Sequence, residues 1–299
     1  MAYKNIVLAS SATLSSKDNQ LIIKSDCFNK SIPIEDISCV MVESHYVSIS
    51  SYVLSKFSDY GVTLFVCNKE HLPTAVMLPI NTHSRQLRMI NLQYNQTKPF
   101  FKRLWQQIII SKIENQSRCL EFCGIEGHEK IRALRSRVQS GDTTNVEAIV
   151  ASKYFKMLFG KDFTRSIENT TNAALNYGYS ILRGVIARNL ATYGFETSLG
   201  IHHCSELNNF NLADDIIEPF RPVVDLFVAL NIGENEDFTP EIKHNLFNLL
   251  NVDIKSGDKN HSVAYAIEKS VQSLSSCYNK VKEELVLPEL AELRLHRYE

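Results

Sequence analysis

The feature that most limits what this chain can fold into is a change in hydrophobic period near residue 82. Before that point the apolar residues fall in short, β-branched or alternating runs: Lys4 to Ala12, Gln20 to Ser25, Ile32 to Val42, Thr63 to Cys67 and Thr74 to Ile80. Such runs predict strands. One segment among them, Ser48 to Tyr60, has helical spacing, with serines at its start and Gly61 as its stop. Beyond Arg85 the apolar residues recur at helical intervals. Helices are predicted over Arg85 to Tyr94, Phe100 to Phe122, Val146 to Phe159 and Asn172 to Tyr193, with a basic helix or helical turn over Lys130 to Val138. Others are predicted from about Asn211, over Pro240 to Leu250 and over Ser262 to Glu284. The polar stretch Asn81-Thr82-His83-Ser84 marks the join. The expected fold class is α+β: a small, mostly-β N-terminal domain, residues 1–82, joined to a larger all-α domain, residues 83–299. A chain of 299 residues is long enough for both to have their own core.

Several function classes drop out at once. No apolar run reaches the roughly 18 residues that a membrane span needs. The start, MAYKNIVLASSATLSS, lacks a signal-peptide layout and reads as folded protein. Seven scattered cysteines predict reduced thiols and a cytoplasmic setting. Cys119 and Cys123 have no second pair to complete a zinc site. There is no Gly-rich phosphate loop, nucleophile elbow or dinucleotide fingerprint. The net charge of −1 hides an asymmetry. Residues 81–140 hold 11 Lys and Arg against 4 acids, and residues 205–258 hold 3 against 11. A basic segment beside an acidic one suits an enzyme that grips phosphates and binds a metal. It equally suits two solvated helical surfaces of opposite sign.

The stretch from Leu199 to Pro222 concentrates the chemistry. His202 and His203 precede Asp215 and Glu218, which stand at i and i+3 and would share one helix face. Arg221 follows, and Pro219 and Pro222 should kink or interrupt the helix. Two carboxylates and an imidazole are ligands for a divalent cation such as Mg²⁺ or Mn²⁺, although an acid pair at this spacing is also what a solvated face shows. Glu147, at the start of its helix, would be stabilised there by the helix dipole with no catalytic role. Arg85, Arg88, Lys102, Arg103, Lys112 and Arg118 are spaced to give a positive surface, for phosphate contact or simply for solubility.

Four segments in order carry a resemblance: Val146-Glu147-Ala148 with Tyr154-Phe155; Asn172-Ala173-Ala174-Leu175-Asn176-Tyr177-Gly178-Tyr179; Gly200-Ile201-His202-His203; and Asp215-Ile216-Ile217-Glu218-Pro219-Phe220-Arg221-Pro222. Together they resemble the CRISPR-associated integrase of spacer acquisition, a DNA endonuclease. HSRQLR at 83–88 and KRLWQQIIISKIENQ at 102–116 look most like its type II branch. The resemblance implies that Glu147, His203 and Glu218 hold the metal, Mg²⁺ or Mn²⁺, and that Asp215 assists catalysis. His203 closes the G-x-x-H motif, and His202 is only its neighbour. Arg221 would hold phosphate or the acids, and Arg85, Arg88, Lys102 and Arg103 would meet DNA. Pro219 stands where the family often has a second acid. By the same resemblance the chain would be a homodimer formed through its N-terminal domain. It would act on double-stranded DNA, both the incoming fragment and the CRISPR repeat. It would join a small ferredoxin-like adaptation protein in a hetero-hexamer, with a ring-shaped adaptation protein and an RNA-guided effector nuclease nearby. Two rival functions predict much the same residues: a general metal-dependent nuclease acting on DNA or RNA without integration, and a non-catalytic DNA-binding architectural subunit.

Overall fold

The computed structural model describes residues 4–78, 83, 85–233 and 237–297. The chain divides into two compact units, Met1–Asn81 and Thr82–Glu299. Of the polar join expected from the sequence, only His83 lies among the described residues.

The first unit holds β1 (Lys4–Leu8), β2 (Ala12–Lys17), β3 (Gln20–Lys24), β4 (Asn29–Pro33), β5 (Ile37–Val42), β6 (Val47–Ile49), α1 (Ser51–Tyr60), β7 (Thr63–Cys67) and β8 (Pro73–Val76). They form two four-stranded sheets, in the orders β1-β5-β7-β8 and β4-β3-β2-β6. Strands β1, β5 and β7 run parallel, and β2–β3–β4 is an antiparallel meander. Its first turn is Asp18-Asn19, both at positive φ, as a two-residue hairpin turn requires. Helix α1 starts where the Ser50 side chain accepts from the Val53 amide and stops at Gly61, φ 70°. Leu14, Leu21, Ile34, Val53 and Phe57 are buried in its core.

Two expected strands are each split. Lys4 to Ala12 becomes β1 and β2, because the chain leaves one sheet after Leu8 and enters the other at Ala12. Ile32 to Val42 is broken after Pro33 by a 3₁₀ turn, Ile34–Asp36, since proline cannot donate to a ladder. The run predicted to reach Ile80 is strand only to Val76, and residues 79 and 80 lie outside the described residues.

The second unit contains α2 (Gln86–Tyr94), α3 (Lys98–Phe122), α4 (His128–Ala133), α5 (Val146–Phe159), α6 (Thr170–Thr192), α7 (Asn211–Ile216), α8 (Arg221–Asn231), α9 (Pro240–Asn248) and α10 (Val263–Tyr278). It also has a small hairpin, β9 (Asp253–Ser256) with β10 (Lys259–Ser262), where the sequence predicted helix and loop alone. Helix α10 ends at Tyr278, short of the expected Glu284, and Lys280 adopts positive φ just beyond. None of the described helices is long and apolar enough to cross a membrane.

Helix α3 is the spine. Leu104, Trp105, Ile108, Ile109, Lys112, Ile113, Asn115, Gln116 and Cys119 are all buried on it. It packs against α4, α5, α8 and a 3₁₀ turn, Glu218–Phe220. Helix α6 packs on α8 so tightly that a Cβ on Gly178 would lie 2.5 Å from a Val224 methyl, which explains that mid-helix glycine.

Candidate active site

Glu147 enters the site from the first turn of α5. Asn145 precedes the helix in left-handed conformation but makes no side-chain cap. Asp142 caps instead: its two carboxylate oxygens accept from the Val146 and Glu147 amides, each at 2.9 Å. The orphan amides at this helix start are thus partly satisfied, and the Glu147 side chain is not needed as a cap. It meets the Lys112 ammonium instead, with Oε1 2.5 Å from Nζ.

The two prolines divide the helix predicted from Asn211. Helix α7 ends at Ile216, the 3₁₀ turn Glu218–Phe220 follows, and α8 restarts at Arg221 with Pro222 in its first turn. Pro219 has no N–H to continue the α7 ladder, but its carbonyl remains, and it accepts from the buried Asn115 amide at 2.8 Å. Glu218 is thereby held inside, 6% exposed. Its Oε1 accepts from Arg221 Nε at 2.9 Å, and its Oε2 lies 2.5 Å from Lys112 Nζ. No aligned hydrogen-bond donor reaches that Oε2, so the contact is ionic. Burial pushes the Glu218 carboxyl up, but Arg221 and Lys112 outweigh it and hold its pKa at about 2. Burial likewise lowers the Lys112 pKa, and the charges of Glu218 and Glu147 reverse the effect, so its ammonium stays protonated.

His203 is set by a different device. Asp215 is fully buried, and its oxygens accept from the amides of Ile201 at 2.5 Å, His202 at 3.0 Å and His203 at 3.1 Å. The ring Nδ1 of His203 stands 2.7 Å from Asp215 Oδ1. A carboxylate only accepts, so Nδ1 carries a proton, and in the neutral ring Nε2 keeps its lone pair. The bond to Asp215 raises the His203 pKa, with burial opposing it in part. Gly200 makes the loop possible: a Cβ there would sit 2.2 Å from the His203 carbonyl oxygen and 2.9 Å from Asp215 Oδ2. His202 is not at the acids. It stacks on Trp105 of α3, centroids 4.2 Å apart and planes 3° apart, while His203 meets the same indole edge-on at 5.8 Å.

The expected site residues therefore gather in two groups. Glu147 and Glu218 share one ammonium, and Asp215 and His203 form a pair. Glu218 lies near enough to add to the rise in the His203 pKa. Asp215 and Glu218 turn to different partners rather than forming an acid pair on one helix face. Among the described residues no three His, Cys, Asp or Glu side chains converge on one point close enough to hold a metal. The donor set nonetheless fits a hard or borderline cation: two carboxylates, one of them with an oxygen lacking an aligned donor, already surround a cation, and an imidazole nitrogen stands near.

Lys112 is the residue that charge counting misplaced. Its place on a supposed positive surface is wrong, because it is 6% exposed. The signal was in the spacing: Lys112 falls on the stripe of Trp105, Ile108 and Ile109, a buried face. Arg118 is also engaged, with Glu114 and Glu289. Arg85, Arg88, Lys102 and Arg103 are exposed, and Arg88 donates to Asn279. Arg221 lies over the Tyr179 ring, 4.5 Å from its centre, and holds Glu218. Behind it Tyr179 and Tyr154 both donate to the buried Asp225.

A family model described as "CRISPR associated protein Cas1" matches residues 6–248. A CRISPR-associated endonuclease Cas1 from Neisseria meningitidis serogroup C is 38% identical over the full length of both chains. The chain belongs to the Cas1 family. The matched segment contains Lys112, Glu147, His203, Asp215 and Glu218, and the hairpin β9–β10 and the C-terminal tail lie beyond it. More distant Cas1 relatives include one from Francisella tularensis subsp. novicida, 23% identical over 73% of this chain and 75% of its own. The Cas1 fold recurs in a casposase bound to integration product, with TM-score 0.75, 22% identity, and 94% of this chain and 92% of that one covered. It recurs too in a Cas1 protein from Thermotoga maritima, with TM-score 0.73, 18% identity, and 95% and 99% covered.

Proposed function

We propose that this Cas1-family protein is a metal-dependent DNA endonuclease and integrase of CRISPR adaptation. It inserts short DNA fragments into a repeat array by attack of a fragment 3′-OH on the phosphodiester at a repeat end. The new ester bond forms as the bond to the repeat-end 3′-oxygen breaks. One phosphodiester replaces another, so no nucleotide cofactor is needed.

The observation that carries this reading is the convergence of Glu147 and Glu218 on one cation, beside a histidine whose second nitrogen is aimed by Asp215. Glu147, Glu218 and His203 Nε2 would hold Mg²⁺ or Mn²⁺. When bound, that ion supplies Lewis-acid polarisation of the scissile phosphate and lowers the pKa of the attacking hydroxyl. The chain's own residues keep the site ready. Arg221 and Lys112 hold Glu218 ionised, Asp142 fixes the helix start that carries Glu147, and Asp215 fixes the His203 tautomer. Asp215 is a positioning residue here. Arg85, Arg88, Lys102 and Arg103, all exposed, are the residues proposed to meet DNA phosphates.

The assembly proposed is a homodimer through the first unit, which exposes Tyr46, Tyr52 and Val66. That dimer joins a small ferredoxin-like partner in a hetero-hexamer in the cytoplasm. The same fold occurs in a Cas6-RT-Cas1–Cas2 complex, with TM-score 0.71. The ring-shaped adaptation protein and effector nuclease of a type II system complete the proposal.

The test is a branched DNA mimicking a half-integrated fragment, incubated with Mn²⁺ or Mg²⁺ and resolved on a denaturing gel beside Glu218→Ala. A rejoined strand of repeat length, absent in the variant, is expected. Only shortened fragments would mean a hydrolytic nuclease, and tight binding without reaction would mean an architectural subunit.

A further inference from the structure

The position of Lys112 goes beyond that reading while resting on it. We infer that Lys112 is a resident counter-ion of the two acids, one that a divalent cation must displace, so that it sets how tightly the metal binds.

The argument begins with cost. Two carboxylates brought to one buried place repel each other, and each resists leaving water. Glu147 and Glu218 come from α5 and from the turn before α8, and each has an oxygen 2.5 Å from the same Nζ. That ammonium links the two acids. Arg221 balances Glu218 from its far oxygen, while Lys112 is the cation shared by both acids, so the pair depends on Lys112 for its second positive charge.

A lysine suits an exchangeable counter-ion better than an arginine would. It is a point charge on four methylenes, able to withdraw along its stem without breaking a bidentate fork. The stem leaves the buried stripe of α3 that also carries Trp105, Ile108, Ile109 and Asn115. The Glu147 side chain is 29% exposed, against 8% for Lys112 and for Glu218, so the open side of the cluster is the Glu147 side. An entering cation meets Glu147 first, and Lys112 retreats as its share of both carboxylates is taken. The histidine half needs no such exchange, because Asp215 is already filled by four donors.

A merely structural lysine would affect folding and nothing else. The test therefore reads metal affinity directly, by electron paramagnetic resonance of free Mn²⁺ titrated against the full-length protein, with thermal melting in EDTA alongside. The variants are Lys112→Met, with Lys112→Gln as a second neutral form should the first fail to fold, and exposed Lys161→Met as a control for net charge. Lys112→Met should bind Mn²⁺ at least about tenfold more tightly than wild type, about 1.4 kcal/mol. Its Tm in EDTA should fall by about 5–10 °C, as for a buried ion pair missing one partner, and Mn²⁺ should restore it. Adding Glu147→Gln to Lys112→Met should recover part of the EDTA melt and remove the gain in affinity. Lys161→Met should leave Mn²⁺ affinity at the wild-type value. Unchanged or weaker Mn²⁺ binding by both neutral Lys112 variants, with binding abolished by Glu218→Gln, would overturn the counter-ion role while the metal site stood. Mn²⁺ binding by neither wild type nor variants would overturn the metal site itself and the counter-ion role with it.

Discussion

The two halves of the candidate site are built on opposite principles. The histidine half is a hydrogen-bonded unit: one fully buried carboxylate, three backbone amides and an imidazole within fifteen residues of chain, with a glycine where no side chain fits. The acid half joins a helix start to a 3₁₀ turn far along the sequence, and it is held by charged donors, Lys112 and Arg221, rather than by backbone amides. The first half is closed by its own hydrogen bonds. The second is a pair of like charges held by borrowed cations, the part of the site that a metal ion would remodel. On the proposed metal reading this division is useful, since His203 would have its tautomer set beforehand while Glu147 and Glu218 would stay exchangeable.

That contrast can be broken most sharply with pH. Glu218 has its carboxyl lowered from the ordinary 4.5 to about 2, so its contribution to stability is complete above pH 4.5 and is lost as pH falls towards 2. The stability difference between wild type and Glu218→Gln should shrink by about 3 kcal/mol over that window, measured by denaturant unfolding. The histidine half has the opposite sign: with its pKa raised above 6.5, His203 contributes below pH 6.5 and loses that contribution as pH rises through the raised value. A unit whose acid lability is unaltered by Glu218→Gln would contradict the charge-held description.

Next in size is catalysis. Glu147→Ala and Glu218→Ala should each lower strand transfer about a hundredfold while DNA affinity stays near wild type, read by gel and by a binding titration. Loss of DNA binding in step with activity would mean that the acids serve folding. Asp215→Asn should lower Mn²⁺ affinity about ten- to a hundredfold, because an amide cannot accept from three amides and Nδ1 together. The effect should come through His203, so His203→Ala and the double variant should bind Mn²⁺ alike. Smallest is Tyr154→Phe. It removes one of two hydroxyls from Asp225, which burial raises to a pKa of about 6 although both hydroxyls and two arginines pull it down. It should cost about 1 kcal/mol of stability with Mn²⁺ affinity untouched.

Much of this arrangement was legible before any coordinates. Helix α5 was predicted with the bounds it has, Val146–Phe159, and the interruption by Pro219 and Pro222 is where the sequence placed it. These features depend on local causes: a period of 3.6 and a missing N–H. The splitting of the first and third predicted strands was not legible, since which sheet a strand joins depends on partners distant in sequence. Asp215 and Glu218 looked like a facing pair at i and i+3. A helix that ends at Ile216 cancels that geometry, and each acid turns to its own partners.

Lys112 shows where the limit lies. Its spacing placed it on the buried stripe of α3, and its charge placed it on the surface. A lysine is buried only where anions await it, and the anions here arrive from two segments that α3 does not touch in sequence. By itself the sequence determined the two-part architecture, the helices and the short motifs that carry the candidate ligands, because each follows from residues within a few turns of one another. Only the tertiary structure decided that Glu147 and Glu218 close on one ammonium and that Asp215 serves His203. Long-range electrostatics is settled by which helix faces pack, and no local pattern records that.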